Sequence, residues 1–136
     1  MKKVRHFLAV LTVAMLTASC GTSSTVPITG RKQNILVSDE QVLSLSNQQY
    51  QEYMKQAKAS QDATSTAMVK RCGERLASAV VSYLQQNGLA AEVSQYKWEF
   101  NLVQDKSVNA FCMPGGKIVV YEGLLPVTKD ESSLAI

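Results

Sequence analysis

The sequence has 136 residues, of which 46% are hydrophobic and 18% charged, and its formal net charge is +3. This length allows one domain at most. Three of the 14 Lys and Arg residues lie within the first five positions, and without them 11 basic residues face 11 acidic ones. No basic stripe with interleaved aromatic residues follows, so nucleic-acid binding is not expected.

The first 19 residues have the layout of a secretory signal peptide. A basic start is followed by the mostly apolar run 7–16 and then by small residues before Cys20. Ten helical residues span about 15 Å, half of the hydrocarbon thickness of about 30 Å, so the run is too short to anchor the protein. Cleavage would also remove His6, the only histidine.

Cys20 directly follows these small residues, which predicts cleavage there and attachment of lipid to the cysteine. Such a lipobox usually has Leu three positions before the Cys, where this sequence has Thr17. The alternative is an ordinary cleaved signal with a chance cysteine. Residues 20–25 are small and polar, which suits a flexible tether between lipid and domain.

If Cys20 carries lipid, Cys72 and Cys112 remain as an even pair in an oxidising compartment. A disulfide between them would close a loop of about 40 residues and stabilise the domain by up to about 4 kcal/mol. The alternative is two buried thiols that never meet, because spacing alone does not establish geometry. The even count favours the bridge.

Two long helices are predicted after an extended segment, 26–31, which contains Pro27. Ser38-Asp39-Glu40-Gln41 has capping-box spacing and opens a helix of about 20 residues, with apolar positions three and four apart. The second helix begins near residues 64–66. It ends at Asn87-Gly88, where a left-handed cap is expected.

Three short strands follow the helices. Apolar and polar residues alternate over 97–102, which indicates a half-buried strand. Residues 108–113 and 117–121 are two further strands, and Pro114-Gly115-Gly116 joins them as a hairpin turn. The elements predict an α+β fold with helices packed on a small, mainly antiparallel sheet.

A third helix is predicted at the end of the sequence. Thr128-Lys129-Asp130-Glu131 repeats the capping-box spacing and places two acidic residues where a helix N-terminus favours negative charge. Fewer than two turns separate this start from Ile136, and no capping residue is present. We therefore expect the sequence to be the N-terminal part of a longer protein.

From Asn109 onward the sequence carries short motifs at fixed offsets: Asn109-Ala110-Phe111, Pro114 to Tyr121, Gly123-Leu124-Leu125, Asp130-Glu131 and Leu134-Ala135. They resemble the region just before the zinc-binding helix of HtpX-like and CAAX-prenyl-protease-like zinc metallopeptidases, and most closely the bacterial periplasmic lipoprotein branch. Residues 27–31 and the following helix resemble that branch more loosely. The resemblance implies that residues 26–136 are the N-terminal half of a zincin-like domain, truncated at the start of the active-site helix. It also implies a lipoprotein that faces the periplasm, in the outer membrane of a Gram-negative bacterium.

In that family the active-site helix continues into His-Glu-x-x-His, whose histidines bind zinc while the Glu is the general base. A Glu further along is the third ligand. This sequence has no histidine after residue 6, and catalytic zinc needs three protein ligands. The resemblance therefore implies zinc in the full-length form, with no metal ligand and no catalytic residue within these 136 residues.

Asn109 and Ala110 are the positions that the resemblance assigns to substrate binding. In related zinc peptidases an Asn-Ala strand presents backbone groups to an extended peptide, and the Asn side chain bonds the peptide's amide groups. The alternative is a solvent-facing Asn on an ordinary strand. Cys112 is expected to be structural, because a cysteine nucleophile would need a histidine partner.

Two functions follow from the resemblance. The first is a zinc metalloendopeptidase that cleaves polypeptide substrates among envelope proteins, inactive in the present sequence because the zinc ligands are missing. The second is a lipid-anchored, non-enzymatic module that keeps a peptidase-like half-fold for peptide binding or scaffolding.

Overall fold

The structure is a computed structural model that describes residues 22–26 and 30–136. The chain divides into two units, 1–38 and 39–136. The predicted signal peptide, Cys20 and residues 27–29 of the predicted extended segment lie outside the described residues.

A two-stranded hairpin forms the described part of the first unit. Strand β1 (Thr22–Thr25) pairs antiparallel with β2 (Lys32–Ile35). The turn is closed by the Val26 N–H, which donates to the Arg31 carbonyl at 2.9 Å, and Gly30 has a φ of 65°. The sequence predicts a flexible tether over 20–25. The structure differs because the Thr22–Thr25 backbone finds a complementary strand across this turn.

Two long helices open the second unit, α1 (Asp39–Gln56) and α2 (Ala63–Gln86). The Asp62 carboxylate caps α2 by accepting the N–H groups of Thr64 and Ser65, both at 3.0 Å. The helix ends at Asn87, and Gly88 follows with a φ of 74°. Both predicted helices and the left-handed cap are confirmed.

A three-stranded sheet follows a 3₁₀ helix (Ala90–Gln95). It contains β3 (Glu99–Val103), β4 (Ala110–Met113) and β5 (Lys117–Tyr121), in the spatial order β3-β5-β4. β4 and β5 form the predicted antiparallel hairpin, whereas β3 and β5 are parallel. The α+β class is confirmed. The sheet is mixed because the chain reverses twice, into β4 and back into β5, before β5 lies beside β3.

The central strand β5 is covered on both faces. Val119 packs with Tyr50 of α1 in one core cluster, and Val120 packs with Val69 of α2 in the other. Side chains of adjacent strand residues point to opposite faces, so two consecutive buried valines require a layer on each side. The apolar run 118–121 is typical of a strand covered in this way.

The last elements are a short 3₁₀ helix (Glu122–Leu124) and two single-turn helices, α3 (Leu125–Thr128) and α4 (Glu131–Leu134). The predicted helix start at Thr128 is wrong. Lys129 has a φ of 65°, which ends α3, and the Asp130 carboxylate caps α4 by accepting the Ser133 N–H at 2.8 Å. The acidic pair therefore does cap a helix, but the helix begins at Glu131.

None of the helices within residues 22–26 and 30–136 has the length and apolar character needed to cross a membrane.

Candidate functional site

β4 lies at an edge of the sheet that remains open. The opposite edge, at β3, is covered: the Ser60 N–H donates to the Leu102 carbonyl at 2.9 Å, and the Gln104 N–H donates to the Lys58 carbonyl at 2.8 Å. Within the described ranges, no strand pairs with the outer side of β4. An uncovered strand edge presents N–H and C=O groups that another strand can pair with.

The hydrogen-bond register shows which residues of β4 face outward. The Tyr121 N–H donates to the Asn109 carbonyl at 3.1 Å, which makes this a hydrogen-bonded pair. Such pairs alternate with non-bonded pairs along an antiparallel ladder. Phe111 therefore directs its backbone groups toward β5, whereas Ala110 and Cys112 direct theirs toward the open edge.

The structure brings the two predicted substrate-binding residues together at the start of this edge. Asn109 directly precedes β4 and Ala110 is its first residue, and both are exposed. They occupy the position that strand addition would require. Their role in binding a peptide stays a prediction.

The predicted disulfide is absent, because Cys72 and Cys112 are both free thiols. Cys72 is buried where α2 meets α4, and its Sγ lies 3.7 Å from the Glu131 carbonyl oxygen. Cys112 is exposed on β4, in a cleft that it shares with Trp98. Cys72 lines a different cleft, together with Arg75 and Glu131. Burial raises the pKa of the Cys72 thiol, which makes it a poor nucleophile.

The sequence analysis did not predict the buried lysine at the first position of β5. Lys117 is only 4% exposed, and its ammonium donates to the Lys97 carbonyl at 2.6 Å and to the Glu99 carboxylate. Glu99 also accepts the Tyr50 hydroxyl at 2.9 Å, and the Asn101 amide donates to the same hydroxyl at 2.6 Å. The only available signal was a charged residue directly before the apolar run 118–121.

Near neutral pH the Glu99 side chain of this network is an ionised carboxylate and the Tyr50 hydroxyl is protonated. The hydrogen bond from Lys117 holds the pKa of Glu99 below its usual value. Burial raises the pKa of Tyr50 to about 12, and its hydrogen bond to Glu99 acts in the same direction. Tyr50 therefore stays neutral and donates to Glu99, which connects α1 to the start of β3 and, through Lys117, to the start of β5. We assign the network a structural role.

The described residues do not fit a catalytic zinc. In residues 22–26 and 30–136, no three His, Cys, Asp or Glu side chains are grouped so that they could hold a metal ion. His6 lies outside these ranges. The three protein ligands of a catalytic zinc site are therefore not supplied by this part of the chain.

Peptidase family M48 matches residues 63–136, which is more than half of the chain and includes α2 and the whole sheet. The chain belongs to peptidase family M48. This confirms the family of zinc metallopeptidases that the resemblance indicated. The periplasmic lipoprotein branch stays a prediction.

Several M48 relatives are metalloendopeptidases by name. Mitochondrial metalloendopeptidase OMA1 of Schizosaccharomyces pombe is 49% identical over 43 residues, which are 32% of this chain and 13% of that protein. The mitochondrial metalloendopeptidase OMA1 of Danio rerio is 31% identical over 105 residues, 76% of this chain and 21% of that protein. The human protein of the same name is 28% identical over 109 residues, 80% of this chain and 20% of that protein. The chain thus spans about a fifth or less of the length of these relatives.

Proposed function

We propose that this chain is the N-terminal part of a zinc-dependent M48 metalloendopeptidase and that the open edge of β4 binds its polypeptide substrate. Family membership and the names of the relatives support the enzyme class. The relatives are much longer than this chain, which leaves room for the zinc ligands outside these 136 residues. The chain by itself is then inactive.

The observation that carries the substrate role is the pair of outward backbone groups at Ala110 and Cys112. An extended peptide laid along β4 pairs its own N–H and C=O groups with them, as in other cases of strand addition. Asn109, exposed at the start of the strand, offers a side-chain amide to the same peptide. Backbone pairing tolerates many side chains, which suits a protease acting on varied polypeptides.

The N-terminal layout supports export and anchoring. Residues 1–19 serve as the signal peptide, Cys20 carries the lipid, and residues 26–136 form the peptidase part in the periplasm, held at the outer membrane. Envelope proteins would then be the substrates within reach.

A non-enzymatic peptide-binding module is the second candidate, because no described group of side chains fits zinc. The same β4 edge would serve it. Sequencing the coding DNA after the codon for Ile136 separates the two candidates. His-Glu-x-x-His within the next few codons supports the enzyme, and an in-frame stop supports the module.

Replacing Cys112 with proline should weaken peptide binding by about tenfold, since one N–H donor on the open edge is lost. The ladder to β5 keeps its hydrogen bonds, because the Cys112 N–H points away from it, and proline is tolerated on such an edge. Fluorescence anisotropy with a labelled casein octapeptide measures the effect.

Cys112→Ser is the matched control, because it changes the same side chain and keeps the N–H. Its affinity should stay within about twofold of that of the native chain, because serine is close to cysteine in size and only the side chain changes. Equal affinity of the proline variant would show that the peptide does not pair with β4.

A further inference from the structure

A cleft of about 340 Å³ opens beside the C-terminal end of β4. Its walls come from the first turn of α1, the tip of the β4–β5 hairpin and the segment before β3. Most of the lining is apolar, with contributions from Val42, Leu43, Tyr96, Trp98, Cys112 and Met113. Asp39 and Gln95 supply its acidic and amide side chains.

The aromatic wall of the cleft is held in place before any ligand binds. The rings of Tyr96 and Trp98 stack at 4.8 Å with an interplanar angle of 11°. Trp98 also lies against Gly116, where an added Cβ would come within 2.7 Å of the ring. A preformed wall loses little conformational entropy on binding, which favours affinity.

Cys112 belongs both to this cleft and to the open edge. A peptide strand added to β4 places one residue directly opposite Cys112, and directly opposed residues on paired strands project to the same face. The side chain of that peptide residue therefore lies beside the Cys112 side chain, at the cleft. The peptide residue opposite Ala110 is two positions away and lies outside the cleft.

We propose that the cleft is a specificity pocket for one large apolar side chain of the bound peptide, two residues from the one paired with Ala110. The inference rests on the proposed function, because it needs a peptide on β4. Transfer of a phenylalanine side chain from water onto these apolar walls is the source of the preference. The backbone of β4 supplies affinity, and the cleft selects among sequences.

The test compares two labelled octapeptides with a serine-threonine background, one with a central phenylalanine and one with serine in its place. We expect the native chain to bind the phenylalanine peptide about tenfold more tightly. The peptide can slide along β4 to bring its single aromatic residue to the cleft, so its register need not be known beforehand.

Val42→Asp should reduce this preference to less than about twofold, because it places a carboxylate on the apolar wall. Val42 is 38% exposed near the N-terminus of α1, where negative charge suits the helix, so the variant should fold. Leu45→Asp is the matched control: it lies on the same helix, is 59% exposed and does not line the cleft. This control should keep the preference.

The results of these binding experiments distinguish the proposed pocket from the proposed pairing of the peptide with β4. Equal binding of both peptides by the native chain, with Cys112→Pro still weakening them, would overturn the pocket and leave the β4 edge standing. Equal loss of preference in Val42→Asp and Leu45→Asp would also overturn the pocket. Absence of any binding to either peptide would overturn both proposals.

Discussion

Replacing Gly123 with alanine should lower the free energy of unfolding by about 3 kcal/mol. Gly123 lies where the chain after β5 passes against the loop before β4, and its N–H donates to the Asp105 carbonyl at 2.9 Å. A Cβ here would come within 2.2 Å of the Lys106 carbonyl oxygen and 2.6 Å of the Ser107 oxygen. Both are backbone atoms, so no side-chain rotation relieves the clash, and the whole loop must move.

Urea unfolding followed by circular dichroism measures this change. Gly88→Ala is the matched control, because nothing lies within 4 Å of its added Cβ and only the positive φ of 74° disfavours alanine. That conformational cost is about 1 kcal/mol. A loss in Gly123→Ala no larger than the loss in Gly88→Ala would show that the loop and the β5 end do not approach closely.

Replacing Glu99 with glutamine should destabilise the fold by about 2 kcal/mol, because the buried Lys117 ammonium loses its counter-ion. The Glu99 side chain is 46% exposed, so the expected loss lies below that of a fully buried pair. Glu52→Gln is the matched control, since its ion pair with Lys55 is exposed on both sides. That variant should lose less than about 0.5 kcal/mol.

The same pair of variants gives a pH signature. Lys117 lowers the pKa of folded Glu99, so its contribution is complete above the unfolded-state pKa of about 4.3. This stabilising contribution is lost as the pH falls through the pKa of Glu99 in the folded state, which is lower than the unfolded-state pKa. The stability difference between native chain and Glu99→Gln should therefore be constant near neutral pH and shrink below about pH 4. A difference that persists at acidic pH would contradict the ion pair.

Local signals in the sequence were sufficient for much of the fold. Asn87-Gly88 marked the end of α2, because glycine adopts the left-handed cap without a Cβ clash. Residues 118–121 are apolar throughout, which is typical of a strand covered on both faces. The Pro114-Gly115-Gly116 turn fixed the β4–β5 pairing because it leaves too few residues for any other connection.

The features that the sequence did not predict depend on contacts between residues that are far apart in the chain, or on a backbone conformation without a sequence signal. Nothing in the local pattern states that β5 pairs in parallel with β3, and it is this pairing that leaves β4 at the edge. The start of α4 was misplaced because the left-handed conformation of Lys129 has no local signature. The Lys117 network depends on Tyr50 of α1 reaching Glu99 at the start of β3.

The sequence predicted only part of the candidate site. Asn109 and Ala110 came from a family resemblance, since an Asn followed by an apolar strand has no distinctive chemistry by itself. The outward direction of the Ala110 and Cys112 backbone groups follows from the pairing register. A shift of that register by one residue would have turned those groups inward.

Amide hydrogen exchange along β4, followed by NMR, tests the open peptide-binding edge most directly. In the free chain the Phe111 amide should exchange at least about tenfold more slowly than those of Ala110 and Cys112, because only Phe111 donates to β5. Saturating octapeptide should slow exchange at Ala110 and Cys112 and leave Phe111 unchanged. Protection of all three amides in the free chain, or no change at Ala110 and Cys112 when peptide is bound, would contradict a substrate strand on β4.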